Sequence, residues 1–349
     1  MPQTHSADLP LLQQLWGAAP APAVQLRALR TQAGLYVESP RSLFACTGPD
    51  RLRWLNGLVS NHVGALAEHR GCYAFVLNAQ GRIQGDLNIF QRGDSLWLET
   101  ASEQAAKLLA YLEHYIIMDD VALAPLPAQD RLCVAGPQAG TVLASIGISV
   151  ADMEPLQIRT AFWKETPVTL TAEFHPLVPL YSIAIAPDQS AACAQVLLAA
   201  GAVACNAEAV EHLRILAGIP VYGIDFTDRE LPQETGQERA LHFSKGCYLG
   251  QEIVERIRSR GNVHRVFSGF TFDDSSPALI GIQDGRLPIL AEDQPVGELT
   301  STAAIDLPDG CKKYIALGYI RREALDKKLE LYCSGHPVHP ETIPFTKIF

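Results

Sequence analysis

Apolar residues recur at Ala105, Leu108, Leu109 and Leu112 in SEQAAKLLAYLEHY, the spacing of one buried helix face. DQSAACAQVLLAAG and NAEAVEHLRILAG also read as helices. Gly201 ends the first; Asn206 caps the second and Gly218 stops it. Leu43–Cys46, CYAFVLN, RIQGDLNIF, DSLWLET and LVPLYSIAIA read as strands, with Ala79-Gln80-Gly81 as a hairpin turn between the second and third. In TGPDRLRWLNGLV the chain turns at Gly48-Pro49 and starts a helix, with Asp50 near its first turn. IPVYGIDFTDRELPQETG keeps no steady period and reads as a long ordered loop, a kind that often carries function.

An echo runs through the first half. FACTGPD at 44–50 and LCVAGPQ at 132–138 are each a short apolar strand, then Gly-Pro, then a helix. The expectation is an α+β body built from two similar units. After Gly261 the pattern changes to short strands, VHRVFSGFTF, PILAEDQPVGELTSTAAI and YIALGYI, with turns DGR and PDG. That predicts a body over 1–261 and a small, closed or nearly closed β-barrel-like domain over 262–349.

The chain has 349 residues, 48% hydrophobic and 19% charged, against a usual charged share of roughly 25%. With a mean hydropathy of +0.06, this composition supports a substantial core and two or three domains. The net charge of −10 argues against a protein that coats nucleic acid, so an anionic ligand must be met by a local cluster. No run of about 18 apolar residues spans a membrane, and MPQTHSADLPLLQQLWGAAPAP lacks a signal-peptide pattern. The eight cysteines are scattered, without CxxC or short metal spacing, and the histidines form no zinc pattern. Free thiols in a reducing, cytoplasmic setting and no stably bound metal are expected.

SKGCYLGQEIVERIRSRG, residues 244–261, concentrates the candidate chemistry. QEIVERIRSR has helical periodicity, with Ile253, Val254 and Ile257 on one apolar face and Glu252 able to pair with Arg256. Cys247 then stands just before the helix or in its first turn, where the helix dipole and Lys245 favour a thiolate. Gly246 and Gly250 permit a tight bend or a close ligand approach. Nucleophile, metal ligand and small residue in a bend remain open for Cys247. Its nearest histidine in sequence is His242, and Arg258 and Arg260 equally suit a solvated helix face.

KGCYLGQE, from Lys245 through Gly246, Cys247, Tyr248, Gly250 and Gln251 to Glu252, resembles the signature of the YgfZ-like family of tetrahydrofolate-dependent iron–sulfur cluster assembly and repair proteins. TGPDRLRWLNGLVSNHV with Ser60-Asn61, NAQGRIQGDLNIF, LRILAGIPVYGIDF, LPQE, PVGELTS and ALGYIRRE extend the resemblance over most of the chain. The layout is also similar to glycine-cleavage aminomethyltransferases.

The resemblance implies an aminomethyltransferase-like body that binds tetrahydrofolate or a one-carbon derivative. It also implies client iron–sulfur enzymes or cluster-assembly proteins as partners, without direct contact to nucleic acid or membrane, and links to oxidative stress and tRNA modification. Cys247, Lys245 and Asp86 are the implied reactive residues. Glu234, Arg214 and Tyr248 are the implied folate contacts. Arg214 equally suits a surface salt bridge, and Tyr222 suits packing better than ring stacking. The aminomethyltransferases carry adjacent acids in the hairpin, whereas this chain has Gly85 then Asp86, and they lack the cysteine. Two alternatives stay open: a folate-dependent aminomethyl transferase and a non-catalytic folate-binding adaptor.

Overall fold

Gly48 and Gly136 occupy equivalent corners of two related sheets. The computed structural model describes residues 19–38, 40–261, 263–273, 286–307 and 311–346. The expected turns DGR and PDG, and the N-terminal stretch to Ala18, lie wholly or partly outside them.

The first eleven strands are β1 (Gly34–Val37), β2 (Arg41–Thr47), β3 (Gly71–Leu77), β4 (Ile83–Arg92), β5 (Ser95–Ala101), β6 (Ala122–Pro125), β7 (Asp130–Ala135), β8 (Gln157–Trp163), β9 (Thr166–Ala172), β10 (Leu180–Ile185) and β11 (Val203–Ala204). They form two sheets, ordered β3-β4-β5-β2-β6 and β8-β9-β10-β7-β1-β11. The first five positions correspond. β2 and β7 each lead through Gly-Pro into a helix, Arg51–Asn56 and Ala139–Ser145. Helices Ser102–Glu113 and Pro187–Ala199 follow β5 and β10.

At each corner the glycine has a left-handed backbone, φ 101° at Gly48 and 119° at Gly136. A Cβ at either would run into a carbonyl oxygen, that of Asp120 or of Gln32. The residue two places on donates its N–H to the same carbonyl, Asp50 to Asp120 and Gln138 to Gln32. Asp120 precedes β6 and Gln32 precedes β1, and these strands lie antiparallel to β2 and β7 respectively. The expected two-unit α+β body is therefore present. Its second copy takes the strand beside β7 from the start of the chain, and β11 pairs on the far side of that strand.

The second sheet buries Leu132, Val134, Leu170 and Ile183 against Val142, Leu143 and Leu197. Each such aliphatic side chain contributes about 1.5–3 kcal/mol when fully buried.

The C-terminal strands are β12 (Arg265–Phe272), β13 (Leu287–Ala291), β14 (Gln294–Asp306), β15 (Lys312–Arg321), β16 (Leu331–Cys333) and β17 (His336–Glu341). They close into a barrel in the order β12-β15-β14-β13-β16-β17, which leaves no free edge. Phe270, Phe272, Ile289, Leu299 and Ile320 fill its interior.

The chain divides into two compact units. One takes the described residues up to Trp54 with Val63–Tyr73 and Leu87–Val210; the other takes Leu55–His62, Ala74–Asp86 and the described residues from Glu211 onward. The aperiodic loop after Gly218 belongs to the second. It contains short 3₁₀ turns at Pro232–Thr235 and Glu238–Ala240 and buries Asp225, Glu230, Glu234 and Thr235. The helix Ala207–Ala217 is capped as expected, with Asn206 Oδ1 accepting from the Ala209 N–H at 2.9 Å.

Candidate functional site

The signature loop is fixed by its lysine. Lys245 is buried, and its Nζ donates to the carbonyls of Asn56 (2.7 Å), Val59 (2.6 Å) and Asn61 (2.7 Å). An ammonium has three donors, and these three acceptors engage all of them. They also offset the cost of taking the charge out of water. The Tyr248 ring lies 4.9 Å from the same Nζ. Tyr248 is itself buried, which pushes its hydroxyl up to about 12.

Further bonds stitch 57–61 to 239–249. Ser60 Oγ donates to Ala240 O and accepts from Phe75 N, and Asn61 Nδ2 donates to Arg239 O. The His242 and Leu249 N–H groups donate to Ser60 O and Gly57 O. Ser60-Asn61, quoted for its resemblance, is thus the seat of the signature loop.

Cys247 is exposed between these anchored neighbours. The helix expected to follow it runs Gln251–Arg260, so the thiol stands four residues before the first helical residue and outside the first turn. Helix-dipole effects fall off within that turn. Gly250 is the N-cap in a left-handed conformation, and Gln251 brackets the turn with two bonds to the Tyr248 backbone. Gly246 differs: a Cβ there meets nothing within 4 Å, so no steric need explains it. Glu252 is exposed, and the helix pairs Arg258 with Glu255 at 3.4 Å in place of the expected Glu252–Arg256 contact. The His242 ring packs 5.2 Å from His62, and its Nδ1 accepts from the Ser244 N–H.

Within the same unit is a cleft of about 500 Å³. Leu231, Ile253, Ile257 and Val263 give it apolar walls; Gln80, Arg82, Gln233, Glu234, Arg256 and His264 supply polar groups. Of the site residues expected from sequence, Glu234 is the one on this wall. Its carboxylate already accepts from the Leu231 N–H (2.9 Å) and from Arg265 Nε (3.1 Å). Arg265 and Arg286 both reach Glu230 and Glu298, so loop and barrel share a web of ion pairs. Burial raises the Glu230 carboxyl, but bonds from Arg286 and from the Thr227 N–H outweigh it and hold the pKa below the ordinary range.

Arg214 is neither a surface pair nor open to an anionic tail. It donates to Asp225 (2.7 Å), Glu211, the Ile219 carbonyl and Ser301 Oγ. Asp225 is fully buried and also accepts from Thr300, Ser301 and the Val221 N–H. Tyr222 packs edge-on to Phe226, as expected. Asp86 is half-buried on β4, on the strand face opposite Gly85.

Gln233, Arg82, Asp225 and Arg265 were not singled out from sequence. The available signal was the density of acids in DFTDRELPQE, an aperiodic stretch too polar to be buried without partners. Among the described residues no cluster of three or more His, Cys, Asp or Glu is placed to hold a metal. No helix among them is long and apolar enough to cross a membrane.

Comparison with known proteins agrees with this architecture. The family model described as GCVT N-terminal domain matches residues 11–245. The tRNA-modifying protein YgfZ of Yersinia pseudotuberculosis serotype O:1b (strain IP 31758) is 29% identical over 226 residues. That match spans 63% of this chain and 65% of the relative, just under two thirds of the latter's length. YgfZ of Escherichia coli O157:H7 (strain EC4115 / EHEC) is 29% identical over 279 residues, 77% of this chain and 80% of the relative. The crystal structure of glycine cleavage system aminomethyltransferase T from Bartonella henselae superposes with a TM-score of 0.80 at 21% identity, covering 93% of this chain and 90% of that one. The chain belongs to the family defined by the GCVT N-terminal domain, among its YgfZ-like members.

Proposed function

We propose that this protein binds a tetrahydrofolate in the cleft of its second unit and assists assembly or repair of iron–sulfur clusters in client enzymes, with Cys247 as the working thiol. The observation that carries the reading is the exposed Cys247 on a loop whose flanking residues, Lys245 and Tyr248, are buried and tied down. A thiol so held is pre-positioned for a partner's surface and loses little freedom on meeting it. The client's cluster is cargo, and Cys247 acts as a transient ligand that gives its proton to solvent as the sulfur binds iron.

The cleft suits the folate. Its volume of about 500 Å³ matches a ligand of that size, and its apolar walls suit a flat ring. Glu234 supplies carboxylate oxygens towards ring nitrogens, and Arg82 and Arg256 supply positive charge towards carboxylates. When bound, tetrahydrofolate supplies a site for a one-carbon unit. The relatives' name, tRNA-modifying protein, fits clients among iron–sulfur enzymes that modify tRNA. With a net charge of −10, direct RNA binding is not part of the reading.

The test is cluster occupancy of iron–sulfur enzymes purified from cells lacking the gene, under oxidative stress, after complementation with wild type or Cys247→Ala. Loss of occupancy with the variant is expected; full rescue by it removes the thiol from the function. If instead one-carbon turnover on tetrahydrofolate survives Cys247→Ala and fails in Asp86→Asn, the protein is a transferase. Folate binding without turnover, with client contact that ignores the thiol, makes it an adaptor.

A further inference from the structure

The cleft of the second unit changes character from floor to mouth. Glu234 is buried, and Arg265 and the Leu231 N–H already engage its carboxylate. Gln80, Arg256 and His264 line the same cleft but are exposed, so they form its rim. They come from the tip of the β3–β4 hairpin, the helix Gln251–Arg260 and the residue before β12. Arg82 is half-buried and spends one N–H on the Arg229 carbonyl. All four side chains are hydrogen-bond donors. Among the described residues no carboxylate pairs with either guanidinium: Arg258 holds Glu255, and no ion pair joins Arg256 to Glu252. The Gln80 amide and the His264 ring bond to no other described group. In a chain of net charge −10, this is a local set of donors with uncompensated positive charge.

We propose that this rim reads an oligo-γ-glutamate tail, so that the ligand of the cleft is a folate carrying several glutamates. The inference rests on the folate reading above. A folate with one glutamate ends in two carboxylates, and the planar forks of Arg82 and Arg256 answer those two. Gln80 and His264 are then left over, each with an N–H to donate. Every further γ-linked glutamate adds one carboxylate and lengthens the ligand at that end alone. A cleft of about 500 Å³ is filled by the ring and its first glutamate, so the added carboxylates fall at the exposed rim. The same layout sets the direction of entry: the Glu234 carboxylate faces ring nitrogens, and the donors at the mouth face the tail.

The test compares the affinity of the full-length protein for tetrahydrofolate with one and with three glutamates, by calorimetry without oxygen. Wild type is expected to bind the triglutamate about fivefold more tightly at low salt, the scale of two exposed contacts to charged groups. That advantage should shrink towards unity in about 0.5 M salt. The double variant Gln80→Ala/His264→Ala is expected to bring the ratio of the two affinities to about one. Both side chains are exposed and unbonded, so its melting temperature should stay close to that of wild type. Gln80→Glu, which adds a negative charge at the hairpin tip, is expected to make the triglutamate the weaker ligand. A wild-type ratio near one overturns the proposal and leaves folate binding intact. So does a ratio that neither variant changes, because the tail then lies elsewhere. If wild type binds neither form, the folate reading itself fails and this inference with it.

Discussion

Gly250 packs against the main chain of Asn78: a Cβ at 250 would stand 2.6 Å from the Asn78 carbonyl oxygen. The signature turn thereby rests on the tip of the β3–β4 hairpin, whose own Gly81 lies against Ile253. Gly250 also has φ 83°, a conformation that costs other residues roughly 1–2 kcal/mol. Gly250→Ala should therefore destabilise the protein by about 2–4 kcal/mol in urea titration. Gly246→Ala, with open space around it, should stay within about 0.5 kcal/mol of wild type. Equal effects of the two substitutions would contradict the packing described.

Lys245 should behave as an anchor. Lys245→Met keeps the aliphatic stem and leaves three carbonyls without their donor. We expect a loss of about 3 kcal/mol or more, because each buried unpaired group costs about 1–3. Chemical denaturation followed by circular dichroism reads this directly. A variant as stable as wild type would show that water replaces the ammonium and that the lysine is free for another role.

Cys247→Ala should leave the fold intact, with a stability change under about 1 kcal/mol, since the side chain is exposed. Cys133→Ala is the contrasting control, because that thiol is fully buried in the first unit. It should cost clearly more, and thermal melting of the two variants side by side checks the order.

Asp225 and Arg214 form a buried pair, so removing one partner strands the other. Asp225→Ala should cost about 3–5 kcal/mol. Arg214→Met should cost a similar amount. The double variant should recover part of the loss, which a double-mutant cycle measures. Simple additivity would mean that the two side chains do not depend on each other.

The first unit holds a buried cluster in which Arg131 meets Glu38, Glu99 and Glu173, with Arg41 also on Glu99. Burial raises Glu99, but Arg131 and Arg41 outweigh it and hold its carboxyl at about 2. Its stabilisation is present above the ordinary carboxylate range and is lost as pH falls towards about 2. For Glu173 burial wins, with repulsion from Glu99 and Glu38 added, and its pKa is raised. Its contribution is most favourable below the ordinary range and is lost as pH rises through the raised value. Glu173→Gln should flatten the neutral-side decline of stability with pH, whereas Glu99→Gln should remove part of the acid-side loss. Melting temperature against pH for both variants checks the two signs.

Local periodicity and turn chemistry were enough to locate the helices at Ser102–Glu113 and Ala207–Ala217, the hairpin tip at Gly81, the duplicated Gly-Pro corners and the closed character of the C-terminal strands. Spacing and side-chain type within each short segment carry that information, even where, as at the Gly-Pro corners, the final contact is with a distant carbonyl. β1 could not be read that way, because it lies between β7 and β11, partners that come far later in the chain. The roles within the signature were equally closed to sequence. Lys245 reads as a neighbour of the thiol, yet its charge is consumed by carbonyls of residues 56–61; Arg214 reads as exposed, yet it lies under Asp225. A charged side chain advertises that it needs a partner, but which partner desolvates with it is decided only when distant segments pack. The same holds for Gln233, whose amide is ordinary in LPQE and is fixed only when the distant Val254 carbonyl takes its nitrogen.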